Sequence, residues 1–371
     1  MAEDDLKATE EKPKRGRRKT RSKRQSQTLT FDAGILAYIE KEADKQDTSL
    51  SRITEELIRK QLREEQLESR AKPIIISVIN NKGGVAKSTT TSSLAYVFGT
   101  KGYKVLMIDF DGQSNLSMSF DVFDPTSKSP TIFDVMFPRM SPHRALKLKD
   151  VIKDTSNPNV KIIPSDFRFG DADFNFRTEK TGADIVLQRA IENLDEHFDI
   201  IFIDCGPRTD LTASNAIAAL NAGNKHSMII IPVKMDAYSI AGIPQTISAI
   251  NEVAEGQRIE QKPWRILKTI IEEETKAYRM GMDALEELSD LVPEYRYFET
   301  SISKNTRANE TGFFAKPLTQ YDPSSKAAME YRELADEIEE EFEGDVLPSG
   351  VVESAEIDSE KVSESEDAID E

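Results

Sequence analysis

A fully apolar strand that runs straight into a lysine- and glycine-bearing loop, and from there into a helix, leaves a chain few architectures to adopt. Ile74–Ile79 is such a strand, interrupted only by Ser77. Asn80-Asn81-Lys82-Gly83-Gly84-Val85-Ala86-Lys87-Ser88-Thr89 follows it, and a helical stretch continues to about Gly99. Small residues let main-chain N–H groups approach and converge on phosphate oxygens, and a helix starting near Lys87 adds the positive end of its dipole. Lys87 is spaced to reach the β- and γ-phosphates of a nucleoside triphosphate, and the Ser88 hydroxyl to ligate Mg²⁺. The strict G-x-x-x-x-G-K-[ST] pattern fails, because Asn81 and Ala86 hold its two glycine positions. The variant K-G-G-x-x-K-[ST] matches, with Lys82 as a second lysine ahead of the glycines. A plain turn between strand and helix is the alternative, and it needs neither lysine.

From Pro73 to about Ile338 strand patterns alternate with helical ones. Further strands are expected at Lys104–Ile108, Val160–Ile163, Ile200–Ile203, Met228–Pro232 and Ile266–Ile271, and a last helix at Ser325–Glu341. Continuous apolar runs separated by helices predict an α/β fold: a doubly wound, mostly parallel sheet with helices on both faces, of the P-loop NTPase type. In such sheets ligands bind outside the carboxyl ends of the strands. Two further strands deliver acids there: Val105-Leu106-Met107-Ile108-Asp109-Phe110-Asp111-Gly112 and Ile200-Ile201-Phe202-Ile203-Asp204-Cys205-Gly206. Asp109, Asp111 and Asp204 can therefore converge on the loop Lys82–Thr89, one to hold Mg²⁺ through water and another to orient an attacking water.

The net charge of −17 is unevenly spread. Residues 12–24 carry nine Lys/Arg and no acid, whereas residues 336–371 carry sixteen Asp/Glu against Lys361 alone, or −15. The rest of the chain thus sums to −17 + 15 = −2. Four segments follow from this: a basic disordered arm (1–25), a small module with a linker helix (26–72), the α/β domain (73–341) and an acidic disordered tail (342–371). One cysteine, Cys205, excludes an internal disulfide and a multi-thiolate metal site. With neither a long apolar run nor a hydrophobic leader, a cytoplasmic, membrane-free protein is expected.

The module reads as a ribbon–helix–helix: a short strand Gln27–Phe31, a helix with Ile35, Leu36, Ile39 and Ala43, a polar turn capped by Thr48 or Ser49, and a second helix from Leu50. Period-two alternation turns Leu29 and Phe31 inward and Thr28 and Thr30 outward, towards bases if two such strands enter a major groove. A helical hairpin used only for dimerisation is the alternative. The basic arm supplies charge for phosphates, or for another polyanion or membrane surface.

Together these motifs resemble the ParA/MinD group of deviant Walker ATPases, specifically its ParA (Soj-like) DNA-partition branch. The resemblance spans Pro73 to about Ile338 and includes Ile231-Pro232-Val233, Ser301-Ile302-Ser303-Lys304-Asn305-Thr306-Arg307 and Tyr321-Asp322-Pro323. It implies ATP and Mg²⁺ as ligands, bound by Lys82, Gly83, Gly84, Val85, Ala86, Lys87, Ser88 and Thr89. It makes Lys82 the lysine that crosses an ATP-sandwiched homodimer, Lys87 the loop lysine, Asp111 the residue that positions water, and Asp204 the Walker B acid. Ser88, Asp109 and Asp204 become the metal set. Lys304 and Arg307 fall where such proteins hold nonspecific DNA. The implied function is ATP-dependent partition of a plasmid or chromosome, with hydrolysis stimulated by a ParB-like adaptor and nucleoid association; from its own pattern, the N-terminal module is expected to bind a specific operator or centromere site for autoregulation. A nucleotide-switched DNA-binding regulator with little turnover, or positioning of a protein cargo, are the alternatives. Three departures stand out: Ala86 replaces a glycine, and Gly112 and Gly206 stand where prolines are common, so looser acidic loops are expected.

Overall fold

The computed structural model describes residues 33–45, 49–54, 72–143, 146–178, 182–208, 210–257, 264–291, 296–342 and 349. The chain divides into two compact units, Met1–Leu62 and Arg63–Glu371. In the first, helix α1 (Ala33–Lys45) places Ile39 and Ala43 one turn apart, and both join Ile53 in a small apolar cluster. Ser49 starts the second helical stretch, its hydroxyl and carbonyl accepting the Arg52 N–H at 3.3 and 3.0 Å. The expected strand Gln27–Phe31, with Thr28 and Thr30, lies outside the described residues, as do Thr48, the basic arm and all of the acidic tail beyond Ser349.

The second unit is built on a seven-stranded sheet of order β3-β4-β2-β5-β1-β6-β7. Its strands are β1 (Ile74–Val78), β2 (Val105–Phe110), β3 (Lys153–Asp154), β4 (Val160–Ile163), β5 (Ile200–Cys205), β6 (Met228–Lys234) and β7 (Trp264–Thr269). Every pairing is parallel except β3 with β4. The central strands are buried on both faces, which is why they read as nearly continuous apolar runs.

Period-two alternation sorts their side chains into two cores. Ile75, Leu106, Ile201, Ile203 and Ile229 pack on one face with α3 (Leu211–Ala218) and α4 (Ile243–Gln257). Ile74, Ile76, Met107, Phe202 and Ile230 pack on the other with α2 (Lys87–Thr100) and α6 (Lys326–Glu340). A fifth helix, α5 (Lys276–Leu291), adds Leu285 to the first core. Ser325 caps α6, its hydroxyl accepting the Ala328 N–H at 3.3 Å. The expected doubly wound fold is therefore the observed one. The two-residue edge strand β3 has no apolar run to announce it. At their carboxyl ends β2 and β5 run further than the apolar pattern, so Asp109 and Asp204 lie inside strands. Among the described residues no helix is long and apolar enough to cross a membrane.

Candidate nucleotide site

β1 lies between β5 and β6, so the strand order reverses around it, and a crevice opens outside its carboxyl end. The loop that fills this position is tied down at both ends. Asn80, fully buried, donates through Nδ2 to the Pro232 carbonyl (2.7 Å) and accepts the Lys82 N–H (2.9 Å). Asn81 Nδ2 donates to Gln245 Oε1 (3.0 Å), and Thr269 Oγ1 donates to the Val85 carbonyl (3.1 Å). Between these ties the chain turns through left-handed conformations at Gly84 (φ 70°) and Ala86 (φ 67°, ψ 30°). Side-chain positions on Gly83 and Gly84 would meet nothing within 4 Å. The loop backbone therefore faces open space on the side where an anion would approach.

Lys87 opens α2, and its Nζ donates to the Lys82 carbonyl at 2.7 Å. Burial lowers its pKa, while the charges of Asp204 and Asp111 oppose that shift. Gly83, Lys87, Ser88, Thr89 and Asp111 line one wall of a cleft of about 740 Å³, and Ile302–Thr306 with Leu318 and Tyr331 line the other. Tyr331 is anchored by its hydroxyl at 3.1 Å from Thr90 Oγ1. The volume and the mixed lining suit a nucleotide.

Beneath the loop, Asp204 Oδ1 accepts from the Thr91 hydroxyl at 3.5 Å, and the nearby Ser88 hydroxyl favours its charged form. Its second carboxylate oxygen, Oδ2, is buried with no hydrogen-bond partner. Desolvation pushes its pKa up to about 7. An orphaned carboxylate oxygen beside a loop hydroxyl fits a hydrated divalent cation. Among the described residues no cluster of three His, Cys, Asp or Glu forms a metal site by itself. That suits Mg²⁺, which is held largely by phosphate oxygens and water.

Asp109, expected near a metal, lies beside Asp204 on the adjacent strand, and its oxygens already accept hydrogen bonds from the chain. Its Oδ2 accepts from Ser117 N (2.8 Å) and Oγ (2.6 Å), and its Oδ1 from the Asp111 N–H (3.3 Å). Both oxygens are thus engaged in bracing the loop that carries Asp111. Asp111 itself is half-buried on the cleft wall, with Oδ1 accepting the Gln113 N–H at 3.1 Å.

Lys82 does not line the cleft; its Cε lies 3.4 Å from where a side chain on Gly242 would begin. Lys304 lines the cleft and pairs with Glu272 at 3.0 Å, and Arg307 pairs with Asp322 at 3.6 Å. The expected looseness at the two glycines is not found. A Cβ on Gly112 would lie 2.4 Å from Gly170 N, and one on Gly206 would lie 3.0 Å from Asp111 Oδ1. At Gly112 only glycine fits against this backbone, and at Gly206 a side chain would crowd the Asp111 carboxylate. Asn80 and Ser117 are contributors that sequence reasoning missed, since neither belongs to a periodic pattern.

Residues 73–262 match the family model described as an AAA domain. The sporulation initiation inhibitor protein Soj of Bacillus subtilis is 26% identical over 264 residues, covering 71% of this chain and 97% of that protein. The chromosome-partitioning ATPase Soj of Treponema pallidum is 23% identical over 260 residues, covering 70% and 94%. Among solved structures, cobyrinic acid a,c-diamide synthase from Mycobacterium smegmatis with bound ADP and magnesium superimposes with a TM-score of 0.60 at 22% identity. That match covers 75% of this chain and 99% of that one.

Proposed function

The chain belongs to the AAA-domain family, in its ParA/MinD branch, and is an ATP hydrolase that uses Mg²⁺; we propose that it couples hydrolysis to DNA partition. The observation that carries this reading is the orphaned Asp204 Oδ2 beneath a cleft lined by Gly83, Gly84, Lys87 and Ser88.

In this reading the amides from Gly83 to Thr89 cradle the phosphates, and Lys87 leaves the Lys82 carbonyl to pair with them. Ser88 and Asp204 would hold Mg²⁺, which would supply positive charge against that developing on the phosphate oxygens. Burial raises the Asp204 pKa to about 7, and a divalent cation held there would favour its ionised form. Asp111 orients the attacking water. Lys82, lying outside its own cleft, extends to the phosphates of a second copy and makes the ATP-bound homodimer self-checking. Lys304, shared between the cleft wall and the surface, exchanges Glu272 for a DNA phosphate together with Arg307.

Hydrolysis, stimulated by a ParB-like adaptor, releases the dimer from the nucleoid in the cytoplasm. The module 26–72, behind its basic arm, binds a specific operator or centromere site through Thr28 and Thr30, and the acidic tail 342–371 remains a solvating segment. A DNA-binding titration with ATP, ADP and no nucleotide at two salt concentrations tests the cycle. Salt-sensitive binding confined to the ATP state supports it; equal binding in all three states refutes it.

A further inference from the structure

Asp111 is positioned from both sides by main chain. Gly206 leaves room for its carboxylate, and Gly112, the next residue, abuts Gly170 so closely that a Cβ would lie 2.4 Å from Gly170 N and 2.6 Å from its Cα. Beside this loop lies a cavity of about 200 Å³ whose lining includes Phe110, Asp111, Gly112, Phe169, Gly170 and Gly206. The loop is therefore not filled in on that side, and the Gly170 backbone is the close contact that fixes Gly112 there.

Gly170 belongs to a short 3₁₀ turn, Phe167–Asp171. One guanidinium holds that turn. Arg168 donates through NH1 and NH2 to the two oxygens of Asp134 (3.1 and 2.9 Å), and through Nε to both oxygens of Asp166 (3.0 and 3.1 Å). Asp166 also accepts the Arg168 N–H at 2.9 Å and so caps the turn. Both carboxylates are fully buried, and the guanidinium stacks 4.6 Å above the Phe133 ring. A planar fork engaged by two carboxylates has little freedom left, which a lysine in its place would not reproduce. The adjacent Phe169 ring packs 4.7 Å from Phe110, the residue before Asp111.

We infer that Arg168 is a positioning residue for hydrolysis: by fixing the Phe167–Asp171 turn it presses Gly170 against Gly112 and sets how far Asp111 reaches into the cleft. This rests on the assignment of Asp111 as the residue that orients water. Arg168 is not part of the cleft lining, so it acts through the Phe167–Asp171 turn, by way of the Gly170–Gly112 contact and the Phe169–Phe110 packing.

The test uses the full chain with DNA present. It measures ATP hydrolysis, and affinity for a non-hydrolysable ATP analogue, in Arg168→Lys, Gly112→Ala, Asp111→Asn and the two double variants that contain Asp111→Asn. Arg168→Lys and Gly112→Ala are each expected to lower kcat by roughly tenfold to a hundredfold, the effect of about 1 Å of misplacement. Analogue affinity stays within about twofold, because the phosphate loop is untouched. In the Asp111→Asn background neither change lowers kcat further.

Unchanged kcat in the single variants, or an equal further loss in the Asp111→Asn background, overturns the inference while leaving the Asp111 assignment standing. Wild-type turnover by Asp111→Asn overturns both. Should Arg168→Lys fail to fold, Gly112→Ala strains the same contact from the other side, and its kcat decides.

Discussion

Asp109 and Asp204 are register partners on the adjacent parallel strands β2 and β5, and both carboxylates are fully buried. Desolvation raises both pKa values; Asp204's charge pushes Asp109's further, and Asp204 stands at about 7. Ser117 steadies the ionised form of Asp109, and Ser88 and Lys87 that of Asp204. The pair therefore holds protons that the unfolded chain, with ordinary carboxylates near pH 4, has already released.

A pH dependence of stability follows from that difference. Between about pH 4 and pH 7 the folded protein binds more protons at these two sites than the unfolded chain, so their contribution falls as pH rises through that window. Asp109→Asn removes one member of the pair and the repulsion on the other. In nucleotide-free protein, the stability of Asp109→Asn relative to wild type should therefore increase from pH 4 to pH 7. Denaturant unfolding of both proteins across that range measures it, and a difference that does not change with pH counts against the pairing.

Ala86 holds a left-handed conformation that costs an L-residue roughly 1–2 kcal/mol. Glycine removes that strain but adds about 0.5–1 kcal/mol of unfolded-state entropy. Ala86→Gly is therefore expected to stabilise the protein by up to about 1 kcal/mol. Ala86→Val, with a β-branched side chain at positive φ, is expected to destabilise it by more than that. The order Gly, Ala, Val in thermal unfolding checks the conformation; any other order contradicts it.

Gly99 in α2 is a position where the ordinary preference of helices for alanine reverses. A Cβ there would lie 2.3 Å from Val160 Cγ2 and 3.0 Å from Asn157 Nδ2. In an open helix interior the change to alanine would gain about 1 kcal/mol. Here overpacking against β4 should cost about 1–3 kcal/mol instead. Adding Val160→Ala removes the colliding methyl, so the double variant should lose less than the sum of the two single changes.

Lys304 and Arg307 are half-exposed and paired with Glu272 and Asp322. Surface pairs of this kind contribute about 0–1 kcal/mol, so a phosphate can displace either acid at little cost. Arg307→Glu should weaken DNA binding in the ATP state and reduce the slope of log affinity against log salt by about 1. Binding of an ATP analogue should not change. An unaltered salt slope would remove Arg307 from the proposed DNA surface.

Much of the fold was readable because burial writes itself into local pattern. β1, β5 and β6 are predominantly apolar runs, and the two cores are largely those same runs split by the two-residue repeat. The loop Lys82–Thr89 was readable because phosphate binding needs small residues, lysines and a hydroxyl at fixed spacing. β3 escaped because two polar residues at a sheet edge carry no such pattern. Ser117 escaped because its bond to Asp109 depends on how the chain returns after β2, not on its spacing from it. Gly112 and Gly206 were read as sources of slack, whereas neighbouring backbone and the Asp111 carboxylate fill the space beside them.

Which chemical groups are present, and at which end of which strand, was settled by the order of residues alone, since strand polarity and helix polarity follow the chain. Which of three aspartates keeps a free oxygen, which one braces a loop, and which one faces the cleft was decided only when β2 and β5 paired in register. Those distinctions rest on distances between segments far apart in the chain, which local pattern does not encode.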